Sequence, residues 1–171
     1  MDLKQYIRDV PDFPVPGILF RDITPLLHDV PAFGRALELM TDHVDAMDAQ
    51  AVVGIESRGF IFGAPIAARL KLPFVPVRKP GKLPSARMSV EYALEYGNSQ
   101  LDIHADALPQ GERTVIIDAL LATAGTARAA AKLVEVAGGR VAGMVFLVEL
   151  AGLGGREHLL EYDVRSIIVY D

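Results

Sequence analysis

The chain has 171 residues, a net charge of −5 and no cysteine. Its length suits a single domain over residues 1–171, and the lack of thiols excludes disulfides, a thiol nucleophile and thiolate metal sites. Nucleic-acid binding needs a basic face, a membrane span needs about 20 apolar residues, and a signal peptide needs an apolar segment. We find none of these in the sequence, so we expect a cytoplasmic protein without nucleic-acid or membrane partners.

The first 47 residues predict an irregular arm followed by a helix. Residues 3–10 favour a short helix, whereas Pro11, Pro14, Pro16 and Gly17 then predict a shaped loop without regular structure. On composition alone, this loop is an arm packed on the core. Residues 31–47 carry apolar side chains at spacings of four and three, which predicts a helix with one buried stripe. The stripe consists of Phe33, Leu37, Met40, Val44 and Met47.

A first strand–turn–helix unit follows. Residues 51–55 predict a buried strand, and a helix is expected over residues 60–70 after the turn Glu56-Ser57-Arg58-Gly59. The planar fork of Arg58 suits a phosphate, although spacing alone leaves an ordinary turn with a surface arginine equally open. Residues 73–77 predict the next strand.

Residues 78–104 combine a basic loop with a hairpin. Four cations, Arg78, Lys79, Lys82 and Arg87, lie in a loop that its prolines and glycine keep irregular. The loop is either a solvated surface segment or a lid that closes over a polyanion. From residue 88 apolar and polar residues alternate up to Gly97-Asn98, which predicts a hairpin. Glu95 lies on its polar face, where a solvated carboxylate is the simplest interpretation.

Residues 114–139 form a second strand–loop–helix unit. The prediction is a buried strand over 114–117 with Asp118 at its end, a small-residue loop over 120–126, and a helix that stops at Gly138-Gly139. The first N–H groups of a helix are unpaired and favour an anion. The unit therefore predicts a phosphate site beside an acid that accepts hydrogen bonds from a sugar, with an ordinary strand–helix turn as the alternative.

Strands over 141–150 and 166–170 complete the pattern, with a glycine-broken connection between them. Because strands alternate with helices, the fold class is α/β, a mainly parallel sheet flanked by helices on both faces. Ligands of such sheets bind at the carboxyl ends of the strands. We expect Glu56 and Asp118 to meet there.

Five separated motifs resemble, in order, segments of one known family. They are FPVPGILFRDITPLL, GIESRGF, VRKPGKLP, YALEYG and IIDALLATAGTA. Together they resemble the adenine-specific members of the type I phosphoribosyltransferases. The resemblance implies the fold of that family, with residues 1–30 as a hood over the base and residues 78–104 as lid and hairpin. It also implies a homodimer that converts adenine and phosphoribosyl pyrophosphate (PRPP) to AMP and pyrophosphate, with Mg²⁺ carried by PRPP and not bound directly by the protein.

The resemblance assigns roles to individual residues. Glu95 is implied as the catalytic group that handles the purine proton, and Arg58 as its partner near the pyrophosphate. For adenine, the backbone of Leu19 and Arg21 reads the edge of the base, and Phe20 and Leu150 lie on its two faces. The implied PRPP and AMP site comprises Asp118, Ala119, Ala122, Thr123, Ala124, Gly125 and Thr126, together with Arg58, Arg78, Lys79 and Tyr96.

One position departs from the family pattern. The family has two adjacent acids after the apolar strand, and Ala119 stands at the second. We therefore hypothesise that PRPP handling is impaired while the fold persists. Two alternatives remain open at this stage: a catalytically weak nucleotide-binding regulator of the same fold, and a transferase for a 6-oxopurine.

Overall fold

A computed structural model of the chain describes residues 1–94 and 96–171. The chain divides into two compact units, Met1–Leu39 and Met40–Asp171. The expectation of one domain over 1–171, with a hood and a lid within it, stays a prediction. Among the described residues, no helix combines the length and the apolar character needed to cross a membrane.

The first unit contains a two-stranded hairpin that the sequence patterns did not predict. After a 3₁₀ helix at Leu3–Tyr6, strand β1 (Arg8–Pro11) pairs antiparallel with β2 (Leu19–Asp22). The prediction of one helix over 3–10 and of no regular element after it is therefore wrong. Two cross-strand ion pairs, Arg8–Asp22 and Arg21–Asp9, join directly opposed residues, and such pairs stabilise antiparallel ladders. Pro11 is tolerated because both strands of a two-stranded sheet are edge strands.

Two helices follow. The short helix α1 spans Thr24–His28, and α2 spans Val30–Ala46, which confirms the helix predicted over 31–47. In its predicted stripe, Leu37, Met40 and Val44 are buried, whereas Phe33 and Met47 are half-buried.

The second unit is built on a parallel sheet and a separate hairpin. Its strands in chain order are β3 (Ala51–Ile55), β4 (Phe74–Val77), β5 (Arg87–Ala93), β6 (Asn98–His104), β7 (Arg113–Leu121), β8 (Arg140–Leu150) and β9 (Val164–Tyr170). The sheet has five parallel strands in the order β4-β3-β7-β8-β9, and β5 and β6 form the hairpin. The predicted α/β class, the parallel sheet and the hairpin are thus confirmed.

Helices α3 (Arg58–Leu70) and α4 (Gly125–Val136) cover opposite faces of the sheet. On one face, Ile55 and Ile116 pack in one apolar cluster with Ala130 of α4. On the other face, β3 presents Gly54, and a Cβ added to Gly63 of α3 would lie 3.6 Å from the Gly54 Cα. Side chains of a strand alternate between faces, so the same strand serves both helices.

Strand β7 is longer than the sequence pattern predicts. It continues past Asp118 to Leu121, and Leu121 still pairs with Glu149 of β8. The prediction that the strand ends at Asp118 is therefore wrong. The reason is that β8 extends equally far, to Leu150, and satisfies the additional backbone groups of β7. The loop before α4 is correspondingly shorter and comprises residues 122–124.

The hairpin is joined to the end of β4. The Arg78 N–H donates to the Asp102 carbonyl at 3.0 Å, and the Asp102 N–H donates to the Arg78 carbonyl at 2.7 Å. At the other end of the hairpin, the Leu94 N–H donates to the Gly97 carbonyl at 2.9 Å. The basic loop therefore begins at Arg78, whose backbone is paired with Asp102 of β6, and ends where β5 begins at Arg87.

Candidate active site

The segment between β7 and α4 presents an uncapped helix start. Ala124 precedes α4 in a left-handed conformation, with φ 73° and ψ 5°, and no side chain caps the first turn. The first N–H groups of a helix lack intrahelical partners, and the helix dipole makes this end attractive to anions. This geometry supports the predicted phosphate site, with the loop reduced to residues 122–124.

Arg58 is brought to β7 by a close approach of α3. A Cβ on Gly59 would lie 2.6 Å from the carbonyl oxygen of Ile117 and 3.4 Å from Oδ1 of Asp118. Only glycine permits this approach, because real Cβ atoms do not come so close to a backbone oxygen. The start of α3, with Arg58, is thereby placed against the strand that carries Asp118.

Asp118 lies on β7, and the pKa of its carboxyl is raised. Burial raises the pKa of its carboxyl from 3.8 to about 7, opposed by a hydrogen bond from the Ala119 N–H and by the charge of Arg58. The Ala119 N–H donates to Asp118 Oδ1 at 2.7 Å. A carboxyl with a pKa this close to neutrality, in a cavity, is typical of functional sites.

Glu56 ties the basic loop to the same region. Its Oε2 accepts from the Lys79 N–H at 2.8 Å and from Arg78 Nε at 3.2 Å. Burial acts to raise the pKa of Glu56, but the hydrogen bonds from Lys79 and Arg78 outweigh it and the pKa is lowered. The carboxylate is therefore ionised, and it fixes the first residues of the loop.

Two adjoining cavities bring the predicted residues together. The first, of about 400 Å³, is lined by Arg58, Asp118 and the whole segment from residue 120 to 127, with Tyr92, Ala93 and Leu94 opposite. The second, of about 310 Å³, is lined by Glu56, Lys79, Ser99 and Leu101 in addition to shared residues. The residues common to both are Arg58, Tyr92, Leu94, Asp118 and Thr126. One continuous site therefore contains a helix start, two cations and two carboxylates.

A larger groove of about 520 Å³ runs between β5 and the outer side of α4. Its cations, Arg128 and Lys132, are accompanied by the carboxylates of Glu91, Glu135 and Glu161. This mixture is a poorer match for a polyanion than the smaller cavities, despite the greater volume. We therefore assign the candidate active site to the two adjoining cavities.

The structure places some expected residues elsewhere and adds one that was missed. Tyr96 is 88% exposed, whereas Tyr92 lines both cavities and its hydroxyl accepts from Thr126 Oγ1 at 3.5 Å. The alternation that placed Tyr92 on the apolar face of the hairpin was the signal for it. Ala119 is 1% exposed and, by strand alternation, points away from the face that carries Asp118. Glu95 lies outside the described residues.

The residues implied for adenine belong to both units. Leu19, Phe20 and Arg21 lie on β2 of the first unit, where the Phe20 ring packs edge-on against Phe13 with centroids 5.2 Å apart. Leu150 is the last residue of β8 in the second unit. Their joint role at the base stays a prediction.

The donor set fits a metal that brings its own ligands. Within residues 1–94 and 96–171, no group of three or more His, Cys, Asp or Glu side chains is arranged to hold an ion. Glu56 and Asp118 nevertheless line the same cavity. Mg²⁺ commonly binds through one or two carboxylates, substrate phosphates and water, so these residues fit a substrate-borne Mg²⁺.

Comparison with known proteins assigns the class. Residues 27–170 match the family model described as phosphoribosyl transferase domain. A curated adenine phosphoribosyltransferase from a Synechococcus strain is 52% identical over 171 residues and all of both chains. The crystal structure of adenine phosphoribosyltransferase from Thermoanaerobacter pseudethanolicus superposes with a TM-score of 0.96 at 50% identity, covering 99% of this chain and 98% of that one.

A further solved structure carries ligands. It is the Saccharomyces cerevisiae adenine phosphoribosyltransferase complexed with adenine and D-2,5-dideoxy-2,5-imino-altritol 1,6-bisphosphate, at 36% identity, with a TM-score of 0.92 and coverage of 97% and 96%. The chain is thus a phosphoribosyltransferase, an enzyme of the pentosyltransferase class. Within that class it belongs to the adenine phosphoribosyltransferase family, which confirms the resemblance noted in its motifs.

Proposed function

We propose that the chain transfers the phosphoribosyl group of PRPP to adenine, forming AMP and releasing pyrophosphate. The observation that carries this proposal is the pair of adjoining cavities that share Arg58, Asp118 and Thr126. The family membership favours this enzyme over both the regulator and the 6-oxopurine transferase. The yeast relative, whose complex contains adenine and a bisphosphate, supports the choice of substrates.

The 5′-phosphate binds at the start of α4. Backbone N–H groups of residues 122–126 and the hydroxyls of Thr123 and Thr126 donate to it, and the helix dipole adds a favourable field. Asp118, in its ionised form, accepts a hydrogen bond from a ribose hydroxyl. These contacts orient the sugar before any bond breaks.

The leaving group departs into the second cavity. Breaking the bond between the anomeric carbon and pyrophosphate leaves positive charge on the ribose and negative charge on the pyrophosphate. Arg58 and Lys79 stabilise that negative charge, and Arg78 helps to keep Lys79 in place through Glu56. Mg²⁺ carried by PRPP would, when bound, help to neutralise the charge of the leaving group, and Asp118 and Glu56 would hold it through its water ligands.

The base is handled by residues assigned from the family motifs. Glu95 exchanges a proton with the purine or favours its reactive tautomer. Phe20 and Leu150 enclose the ring of adenine, and the backbone of Leu19 and Arg21 reads its edge. We further propose a homodimer in the cytoplasm; the family resemblance supports the dimer, and the absence of cysteine suits a reducing compartment.

Incubation of the chain with PRPP, Mg²⁺ and one of four bases tests the proposal. Adenine should yield AMP, detected by ion-exchange chromatography, at a kcat/KM far above the values with guanine, hypoxanthine or xanthine. Preferred use of an oxopurine would show that the base assignment is wrong. No product with any base would favour the regulator.

A further inference from the structure

The loop at residues 122–124 has a backbone neighbour behind it, Gly155, which is not among the residues that line the two cavities. A Cβ added to Gly155 would lie 2.2 Å from the carbonyl oxygen of Ala122, 3.0 Å from its carbonyl carbon and 3.2 Å from the backbone nitrogen of Ala124. Gly155 is buried and begins the 3₁₀ helix Gly155–His158. The loop and this helix therefore touch backbone to backbone, and a single methyl group at Gly155 would separate them.

The next residue holds the 3₁₀ helix in place. Arg156 donates to Glu149 through Nε at 2.9 Å and Nη2 at 2.5 Å, and to the Val164 carbonyl through Nη1 at 2.7 Å. Hydrogen bonding and charge from Arg156 lower the pKa of Glu149, against the effect of burial. Such bidentate pairs fix geometry as well as adding energy.

The ion pair between Glu149 and Arg156 also lies next to the strand residue that precedes the loop. Glu149 is 4% exposed and is the register partner of Leu121, the residue immediately before the loop. Glu149 therefore contacts both elements: its backbone lies opposite Leu121, at the start of the loop, and its carboxylate accepts from Arg156 of the 3₁₀ helix.

We propose that Gly155 is a positioning residue for the phosphate site, because its missing side chain lets the 3₁₀ helix Gly155–His158 brace residues 122–124 from behind. The inference rests on the proposed function of this loop in binding the 5′-phosphate of PRPP and AMP. Bracing fixes the direction of the loop N–H groups in advance, and pre-organised donors bind without a further ordering cost.

The test compares Gly155→Ala with Gly152→Ala. Gly152 is exposed in the preceding 3₁₀ turn, and a Cβ there would come no closer than 3.7 Å, to the carbonyl carbon of Asp171. Steady-state kinetics should show the KM for PRPP raised about ten- to hundredfold in Gly155→Ala, as expected for a small misplacement. The KM for adenine, and both constants of Gly152→Ala, should stay within about twofold of the parent, a change too small to reflect a lost contact.

Amide hydrogen exchange of the ligand-free proteins supplies a second measurement. Peptides covering residues 122–126 should exchange faster in Gly155→Ala than in the parent and Gly152→Ala, while peptides from β3 should not change. An unchanged KM for PRPP together with unchanged loop exchange would overturn the inference. Should Gly155→Ala fail to fold, Arg156→Lys, which keeps the charge but loses the planar fork of the guanidinium, must show the same two effects or the inference fails.

The two experiments also separate this inference from the proposed function. If the parent lacks transferase activity but Gly155→Ala shows faster loop exchange, the proposed function and the phosphate role are refuted, and the bracing contact is established.

Discussion

Asp118→Asn measures how much stability the protein loses when the buried Asp118 carboxyl ionises, without changing the shape of the side chain. Asparagine keeps the size of the side chain and an oxygen that accepts from the Ala119 N–H, but it cannot ionise. In the folded parent the carboxyl has a pKa of about 7, compared with 3.8 for the ordinary group. Because the folded pKa is raised, the stability associated with the protonated carboxyl is complete below about pH 4 and is lost as the pH rises through 7.

The magnitude follows from the two pKa values. A difference of about three units corresponds to about 4 kcal/mol when ionisation is complete, and about 2.5 kcal/mol of it is lost between pH 5 and pH 8.5. The free energy of unfolding of Asp118→Asn, relative to the parent, should therefore rise by about 2.5 kcal/mol over this interval. Other titrating groups are common to both proteins and cancel in the difference.

Urea denaturation followed by circular dichroism at pH 5 and pH 8.5 provides the measurement. Asp106→Asn, at an exposed acid, is the matched control and should stay within about 0.5 kcal/mol of the parent at both pH values. Parallel curves of unfolding free energy against pH for the parent and Asp118→Asn would mean that the carboxyl is not held in a poorly solvated site.

Three further substitutions test other parts of the account. Arg58→Met should raise the KM for PRPP about ten- to hundredfold through loss of a charge-assisted hydrogen bond, whereas Arg69→Met, exposed on the same helix, should not; equal initial-rate constants for the two would contradict the assignment. Ala124→Gly should raise the free energy of unfolding by about 1 kcal/mol, because φ is 73° and a left-handed alanine is strained; a lower urea midpoint would argue against such strain. Ala119→Asp should raise kcat/KM for PRPP about ten- to hundredfold if the missing acid impairs PRPP handling, at some cost in stability since the position is 1% exposed; an unchanged kcat/KM would remove that hypothesis.

The sheet was predictable because its signals are local. Buried strands such as Ala51–Ile55 are continuous apolar runs, and glycine or small-residue turns mark their ends. The hairpin was equally visible, since alternation and Gly97 define its strands and turn. The convergence of Glu56 and Asp118 on one cavity followed from one topological rule, that the carboxyl ends of parallel strands share one edge.

The errors share a different cause, the influence of a neighbouring strand. Composition indicated that β7 ends at Asp118, but pairing with β8 carries it to Leu121. In the first unit the prolines suggested an irregular arm, whereas Leu19–Asp22 is a strand because Arg8–Pro11 lies beside it. Pairing between distant segments is a tertiary effect, and a local pattern does not contain it.

The details of the site were the least predictable. The raised pKa of Asp118 depends on burial by several elements, and the brace at Gly155 depends on an ion pair between Glu149 and Arg156. Family motifs supplied Arg58 and the loop, but the roles that they implied did not include one for Tyr92, which lines both cavities. Spacing identifies which residue types are present, and only the packed structure decides which of them face the ligand.

A crystal structure of the chain with AMP would show whether the start of α4, Asp118 and Arg58 form one phosphoribosyl site. We expect the 5′-phosphate within hydrogen-bond distance of backbone N–H groups of residues 122–126, with a ribose hydroxyl on the Asp118 carboxyl. A nucleotide bound instead in the groove beside Arg128 and Lys132, or a phosphate remote from α4, would contradict this expectation.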